Sequence, residues 1–187
     1  MLETIRDRPL DASLEKDLNE AFPVAGDYCR SILAACRQGD ADGWICEREA
    51  AGIRYGRVIK PNTSTNGFSV DVVEMREIAG PHHVHPNGEI DLILPTEGQA
   101  TFDKNPAGWL VYGPGSAYKP TVEGGYAYIM YLLPAGDIDF TRRRTASDGW
   151  GGERLSYAVR NHEERRCAQA AGVQTTGTWR PNEDGRG

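Results

Sequence analysis

No run in the 187 residues approaches the roughly 20 apolar residues needed to cross a bilayer. The first nine residues, Met1 to Pro9, mix Glu3, Arg6, Asp7 and Arg8 and hold no apolar signal core. These two absences predict a soluble, cytoplasmic protein with no membrane partner. Cations are also in deficit, with 21 Lys and Arg against 27 Asp and Glu and a formal charge of −6. Nucleic-acid affinity rests on clustered cations, so nucleic acid is excluded as a partner. The one dense basic run, Arg142-Arg143-Arg144, reads as a solvated surface patch. The four cysteines, Cys29, Cys36, Cys46 and Cys167, form no CxxC pair. That spacing excludes a zinc ribbon, and a cytosolic setting disfavours disulfides. Cys29 and Cys36 sit in a helical pattern and read as small buried apolar residues. Histidine is scarce as well: the chain has four, and three crowd into residues 82–85.

The length fits one compact domain. Leu14, Leu18 and Phe22 recur at helical spacing before Pro23, and a second helix is predicted from about Asp27 to Arg37, ending near Gly39. From Trp44 onward the pattern changes to short strands. Trp44–Arg48 and Ile53–Ile59 read as a hairpin through Ala50-Ala51-Gly52, and Phe68, Val70 and Val72 alternate with Ser69 and Asp71. Ile90–Leu94, Ala100–Asp103, Trp109–Tyr112 and Tyr126–Leu133 follow, with Gly or Pro at nearly every junction. Many short strands at this spacing predict a mainly β sandwich or small barrel. The expected organisation is an N-terminal helical preface (1–42) packed on a barrel (43–140), followed by a polar arm or tail (141–187). A short helix from about Asn161 to Ala171 is allowed in that last zone.

The histidines lie in Gly80-Pro81-His82-His83-Val84-His85-Pro86-Asn87-Gly88-Glu89. Residues two apart on a strand share a face, so His83 and His85 point together. After the Pro86-Asn87-Gly88 turn, Glu89 can rejoin them from the next strand. Two imidazoles and a carboxylate suit a divalent transition ion such as iron, manganese, zinc or nickel, and spacing alone does not choose among these. His82 should face away from its neighbour, leaving it, like His162, a weak substitute ligand.

The arrangement resembles the first motif of the cupin superfamily, a Gly, an HxH pair and a following Glu, carried here by Gly80, His83, His85 and Glu89. Pro114-Gly115-Ser116-Ala117-Tyr118 is similar to the second motif, a Pro-Gly turn followed three residues later by His. The resemblance implies a cupin-type double-stranded β-helix (jelly-roll) barrel and a metal held by His83, His85, Glu89 and a fourth His. The chain departs from the pattern twice. Gly80 stands closer to His83 than usual, and Tyr118 occupies the place of the fourth His. A phenol with an ordinary pKa of about 10 is a poor ligand for divalent ions. Either three protein ligands hold the metal, or Tyr118 is an acid or hydrogen-bond donor.

Further stretches extend the likeness: Gly43-Trp44-Ile45-Cys46-Glu47-Arg48-Glu49, Ile53 through Lys60, Ser69 through Met75, His85 through Asp91, and Tyr131-Leu132-Leu133-Pro134. Over about residues 15–140 the chain resembles the 4-hydroxylaminobenzoate lyase family of small cupins. That resemblance implies redox-neutral conversion of 4-hydroxylaminobenzoate to 3,4-dihydroxybenzoate with release of ammonia, within nitroaromatic degradation. Such a substrate needs a carboxylate anchor, an acid and a base. Arg54, Arg57 and Lys60 are the candidate anchors, Arg57 taking the face opposite to the other two. Glu89 or Tyr118 would protonate the departing hydroxyl oxygen. If metal is bound, Glu89 is a ligand instead and metal-bound water the nucleophile. Asp91, on the face of Glu89, could act as base. The cupin likeness also allows a metal-dependent oxygenase or isomerase on another small aromatic or acidic substrate, or a non-catalytic binding protein. It implies a homodimer, to which the 141–187 arm could cross.

Overall fold

A computed structural model describes residues 1–140; the Asn161–Ala171 helix, Cys167, His162 and the rest of the C-terminal arm lie outside the described residues. The chain begins with a short helix α1 (Leu2–Ile5), followed by α2 (Ala12–Ala21) and α3 (Asp27–Ala41). Asp11 caps α2 by accepting the backbone N–H groups of Ser13 and Leu14 at 2.9 and 3.1 Å, and Pro23 bars its continuation. The third helix does not stop at Gly39 but runs through it to Ala41. The chain folds back so tightly there that a Cβ on Gly39 would stand 2.7 Å from the Trp44 ring. This glycine is thus a packing contact rather than a helix end.

The strands are β1 (Arg48–Ala50), β2 (Ile53–Ile59), β3 (Phe68–Ala79), β4 (His83–His85), β5 (Glu89–Phe102), β6 (Gly108–Tyr112), β7 (Ser116–Tyr118), β8 (Thr121–Pro134) and β9 (Asp139–Phe140). They form a six-stranded antiparallel sheet in the order β1-β2-β3-β8-β5-β6 and a three-stranded sheet β7-β4-β9. The protein is mainly β, with a cupin-type barrel behind N-terminal helices. The first hairpin turns at Ala51 and Gly52, both left-handed, as a two-residue turn between twisted strands requires. Trp44 to Glu47 is not a strand, although Ile45 and Cys46 are buried. Ile90–Leu94 and Ala100–Phe102 belong to one strand, β5, interrupted by irregular register around Thr96 and Gln99, and Asp103 begins the turn after it. Local alternation broken at these positions looks like two strands.

Both faces of the larger sheet are covered. Ile90, Leu92, Leu94, Met130 and Leu132 face the helices, meeting Leu14, Leu18 and Cys36. The opposite face, with Met75, Ile93, Ile129, Tyr131 and Leu133, fills the barrel. Strand β6 is an edge, and helix α2 closes it. The Asn19 side chain accepts the Trp109 N–H at 3.0 Å and donates to the Trp109 carbonyl at 2.8 Å. Glu15 accepts the Val111 N–H at 2.9 Å. The side chains of α2 thus take the place of a missing strand, satisfying backbone groups that an open edge would leave exposed. Replacing Asn19 by Ala should cost about 2–3 kcal/mol, because two backbone groups of buried Trp109 lose their partners. Thermal unfolding should then fall by roughly 4–12 °C without altering ligand binding in the barrel.

Candidate active site

The histidine segment enters the barrel as β4, with His83 and His85 buried at 3% and 0% exposure and His82 outside. The intervening Val84 points the other way, as strand alternation requires. The turn after β4 is fixed at the backbone: the His85 carbonyl accepts the N–H groups of Gly88 (3.1 Å) and Gly115 (2.9 Å). Gly88 has φ +79°, and a Cβ there would stand 2.6 Å from the Tyr112 carbonyl oxygen. Only glycine fits this close, left-handed passage. The same contact docks the Pro114-Gly115 turn beside the histidines, and β7 then pairs with β4 so that Tyr118 stands opposite His83.

Glu89 and Asp91 follow on β5, both fully buried and on one face. Glu89 Oε2 lies 2.9 Å from His85 Nε2. Across the strands, Asp71 of β3, Tyr131 of β8 and Asp91 of β5 occupy one row. Neither Asp71 nor Tyr131 carries a local motif. Their place follows from long-range register alone. The Tyr131 ring stacks on His85 at 6.2 Å, 18° from parallel.

The electrostatics separate these groups. Burial, the Glu89 charge and Asp103 push Asp91 well above the usual carboxylate range. A carboxyl raised in this way keeps its proton to higher pH than an ordinary Asp. Burial, with the His85 imidazole beside it, pulls His83 down to about 4, so its ring is neutral. His83 Nδ1 is 3.2 Å from the Pro81 carbonyl oxygen, which can only accept. Nδ1 therefore carries the proton, and the buried Nε2 keeps an unpartnered lone pair. Burial and the neighbouring Asp91 raise the Tyr118 phenol far above its ordinary value, and burial does the same to Tyr131. Both remain hydrogen donors. Glu89 Oε1, both Asp91 carboxyl oxygens and the Tyr118 hydroxyl lack hydrogen-bond partners among the described residues.

In front of this cluster opens a cleft of about 180 Å³. His83, His85 and Tyr131 form its polar floor, while Ile53, Val73, Met75 and Leu133 make its walls. The two candidate arginines part company here. Arg57 lies on the cleft side of β2 and grips Asp71, which lines the cleft, through two N–H···O contacts of 2.7 and 3.0 Å. Arg54 lies on the other face, bound to Asp40 at 2.7 Å and to Glu74, below helix α3. It does not join the cleft. Two neutral-capable imidazoles and a carboxylate suit a divalent transition ion in donor type. As placed, however, no three His, Cys, Asp or Glu side chains among the described residues gather into a metal centre, and His85 and Glu89 face each other.

Residues 1–140 match the PnbB 4-hydroxylaminobenzoate lyase family. The chain belongs to that family. It is 31% identical over 149 residues to a 4-hydroxylaminobenzoate lyase of Nocardioides sp. (strain LMS-CY), covering 74% of this chain and 88% of that relative. It is 29% identical over 156 residues to the enzyme of the same name from Pseudomonas putida, covering 74% and 89%. Among solved structures it is similar to an RmlC-like cupin of Ralstonia eutropha (TM-score 0.38, 10% identity, 50% and 62% of the two chains). It is also similar to a chain titled an acetylacetone dioxygenase, from Methylibium petroleiphilum (TM-score 0.39, 14%, 58% and 76%).

The raised pKa of Asp91 has a consequence for stability. Above about pH 4 the unfolded chain releases this proton while the folded protein keeps it, so stability falls as pH rises toward the folded value. Asp91→Asn removes that dependence. The variant should unfold at a higher temperature than the parent at pH 8, with the gap closing toward pH 4, as thermal scans across that range would register.

Proposed function

We propose that this member of the family is an ammonia-releasing lyase that converts 4-hydroxylaminobenzoate to 3,4-dihydroxybenzoate. The observation that carries this reading is the buried pair His85–Glu89 beside neutral His83, with both imidazoles on the floor of an apolar cleft and Glu89 behind them. The reaction needs no oxidant: the hydroxylamine and one water give the catechol and ammonia. Its N–O bond breaks heterolytically, with a proton required on the leaving oxygen. Water then enters the ring carbon beside the nitrogen-bearing one, and hydrolysis of the resulting imine releases ammonia.

In this reading the substrate ring lies between the apolar walls with its N–O end toward the imidazoles. His85, backed by the Glu89 carboxylate, hands a proton to the departing oxygen. Glu89 holds His85 in its proton-bearing form until the transfer, and the Tyr118 hydroxyl is available to donate a hydrogen bond to the substrate. His83 Nε2 takes the proton from the attacking water. Asp91, held neutral, keeps a second negative charge away from Glu89 and remains available as a proton reserve. Arg57 attracts the substrate carboxylate toward the mouth, in competition with Asp71. Arg54 takes no part.

A second reading, a metal-dependent cupin oxygenase, draws on the unpartnered His83 Nε2, His85 Nδ1 and Glu89 Oε1. A bound ion would supply Lewis acidity there, held by His83, His85 and Glu89. The two readings part on oxygen. With 4-hydroxylaminobenzoate, the purified protein should release one ammonia per catechol formed and consume no dissolved oxygen. Oxygen uptake matching turnover would favour the second reading and contradict the first. Glu89→Gln should lower kcat by about 10²–10⁴-fold with KM little changed; full turnover by that variant would remove Glu89 from the mechanism.

A further inference from the structure

We infer that Phe140 is a specificity-determining residue, an aromatic wall against which the cleft clamps a planar ring; this deepens the reading of the cleft as an aromatic-substrate site and rests on it. Phe140 stands out as a large apolar side chain that lines the cleft yet remains 53% exposed. Packing within the described chain does not use that surface. Its ring lies 5.7 Å from His83, at 74° to it, so it stands above the imidazole proposed to activate water.

The segment that delivers it is fastened at several points. Beyond β8 the chain turns at Gly136, whose N–H reaches the Leu133 carbonyl at 2.9 Å, while the preceding Ala135 N–H reaches the Gly67 carbonyl at 2.9 Å. Arg57 donates to the Gly136 carbonyl at 2.8 Å while gripping Asp71, and a Cβ at Gly136 would stand 2.6 Å from the Arg57 guanidinium. Asn87, from the turn between His85 and Glu89, donates to Asp137 at 2.9 Å. Strand β9 then pairs with β4, setting Phe140 opposite His83 in register. Ile138, between these anchors, lines the cleft beside it.

An exposed aromatic ring held rigidly at a cleft mouth gains most from a second ring. Stacked or edge-on aromatic pairs are stabilised beyond their buried area, whereas a saturated ring offers only the area. Because the strap is already fastened, little conformational freedom is lost when the ligand arrives. The specificity follows: benzenoid acids should be held more tightly than saturated acids of similar size.

The test uses the full chain and two unreactive probes, 4-aminobenzoate and trans-4-aminocyclohexanecarboxylate, titrated calorimetrically. The parent should prefer the aromatic probe. Phe140→Ala should weaken 4-aminobenzoate about tenfold and the saturated probe less than threefold. Phe140→Trp should retain the preference, and Phe140→Leu should keep affinity for the saturated probe while losing the aromatic advantage. Equal losses for both probes, unchanged affinity in Phe140→Ala, or a parent that does not prefer the aromatic probe would each overturn the assignment. Because neither probe reacts, the outcome is separate from the ammonia assay: the reaction reading can fail while the clamp stands, and the reverse.

Discussion

Two carboxyl groups buried on alternate residues of one strand cannot both carry charge cheaply, and the site is organised around that constraint. Glu89 and Asp91 are fully enclosed by the sheet. Glu89 finds an imidazole at 2.9 Å, whereas Asp91 finds none and is pushed well above the usual carboxylate range. The same low-dielectric interior keeps His83 neutral and the Tyr118 phenol intact. The proton affinities of these groups are therefore set by surroundings more than by residue type. The cost is stability, since an enclosed carboxyl opposes folding at neutral pH, and such a cost is commonly retained where a site needs an unusual proton affinity.

The scaffold answers that cost in two places. On its outer face the large sheet is sealed by the N-terminal helices, whose Asn19 and Glu15 satisfy the edge of β6. On its inner face, the turns carrying the two motif segments meet at the His85 carbonyl. One carbonyl thus ties the histidine strand, the return to Glu89 and the approach of Tyr118. Arg57 joins β2, β3 and the strap beyond β8 through Asp71 and Gly136.

The parts legible in the sequence were those governed by period two or by a local turn. Alternation placed His83 and His85 on one face, excluded His82, and set Arg54 and Arg57 on opposite faces. The Ala51-Gly52 turn announced its hairpin. What escaped was long-range. Asp71 and Tyr131 join Asp91 in a row only because β3, β8 and β5 pair in one register, which no local pattern encodes. Gly39 resembled a helix stop because its packing against Trp44 arises from the chain's return. Ile138 and Phe140 reach the cleft through pairing of β9 with β4, beyond any motif. Metal ligation was suggested by donor type, yet among the described residues the side chains gather no third donor around one point.

The central claim is that Asp91 is a neutral carboxylic acid at neutral pH inside a barrel that also holds Glu89. Infrared difference spectroscopy between the parent and Asp91→Asn at pH 7 tests it most directly. The parent should show the carbonyl stretch of a protonated, buried carboxyl that vanishes in the variant. A difference spectrum containing only carboxylate bands would contradict it.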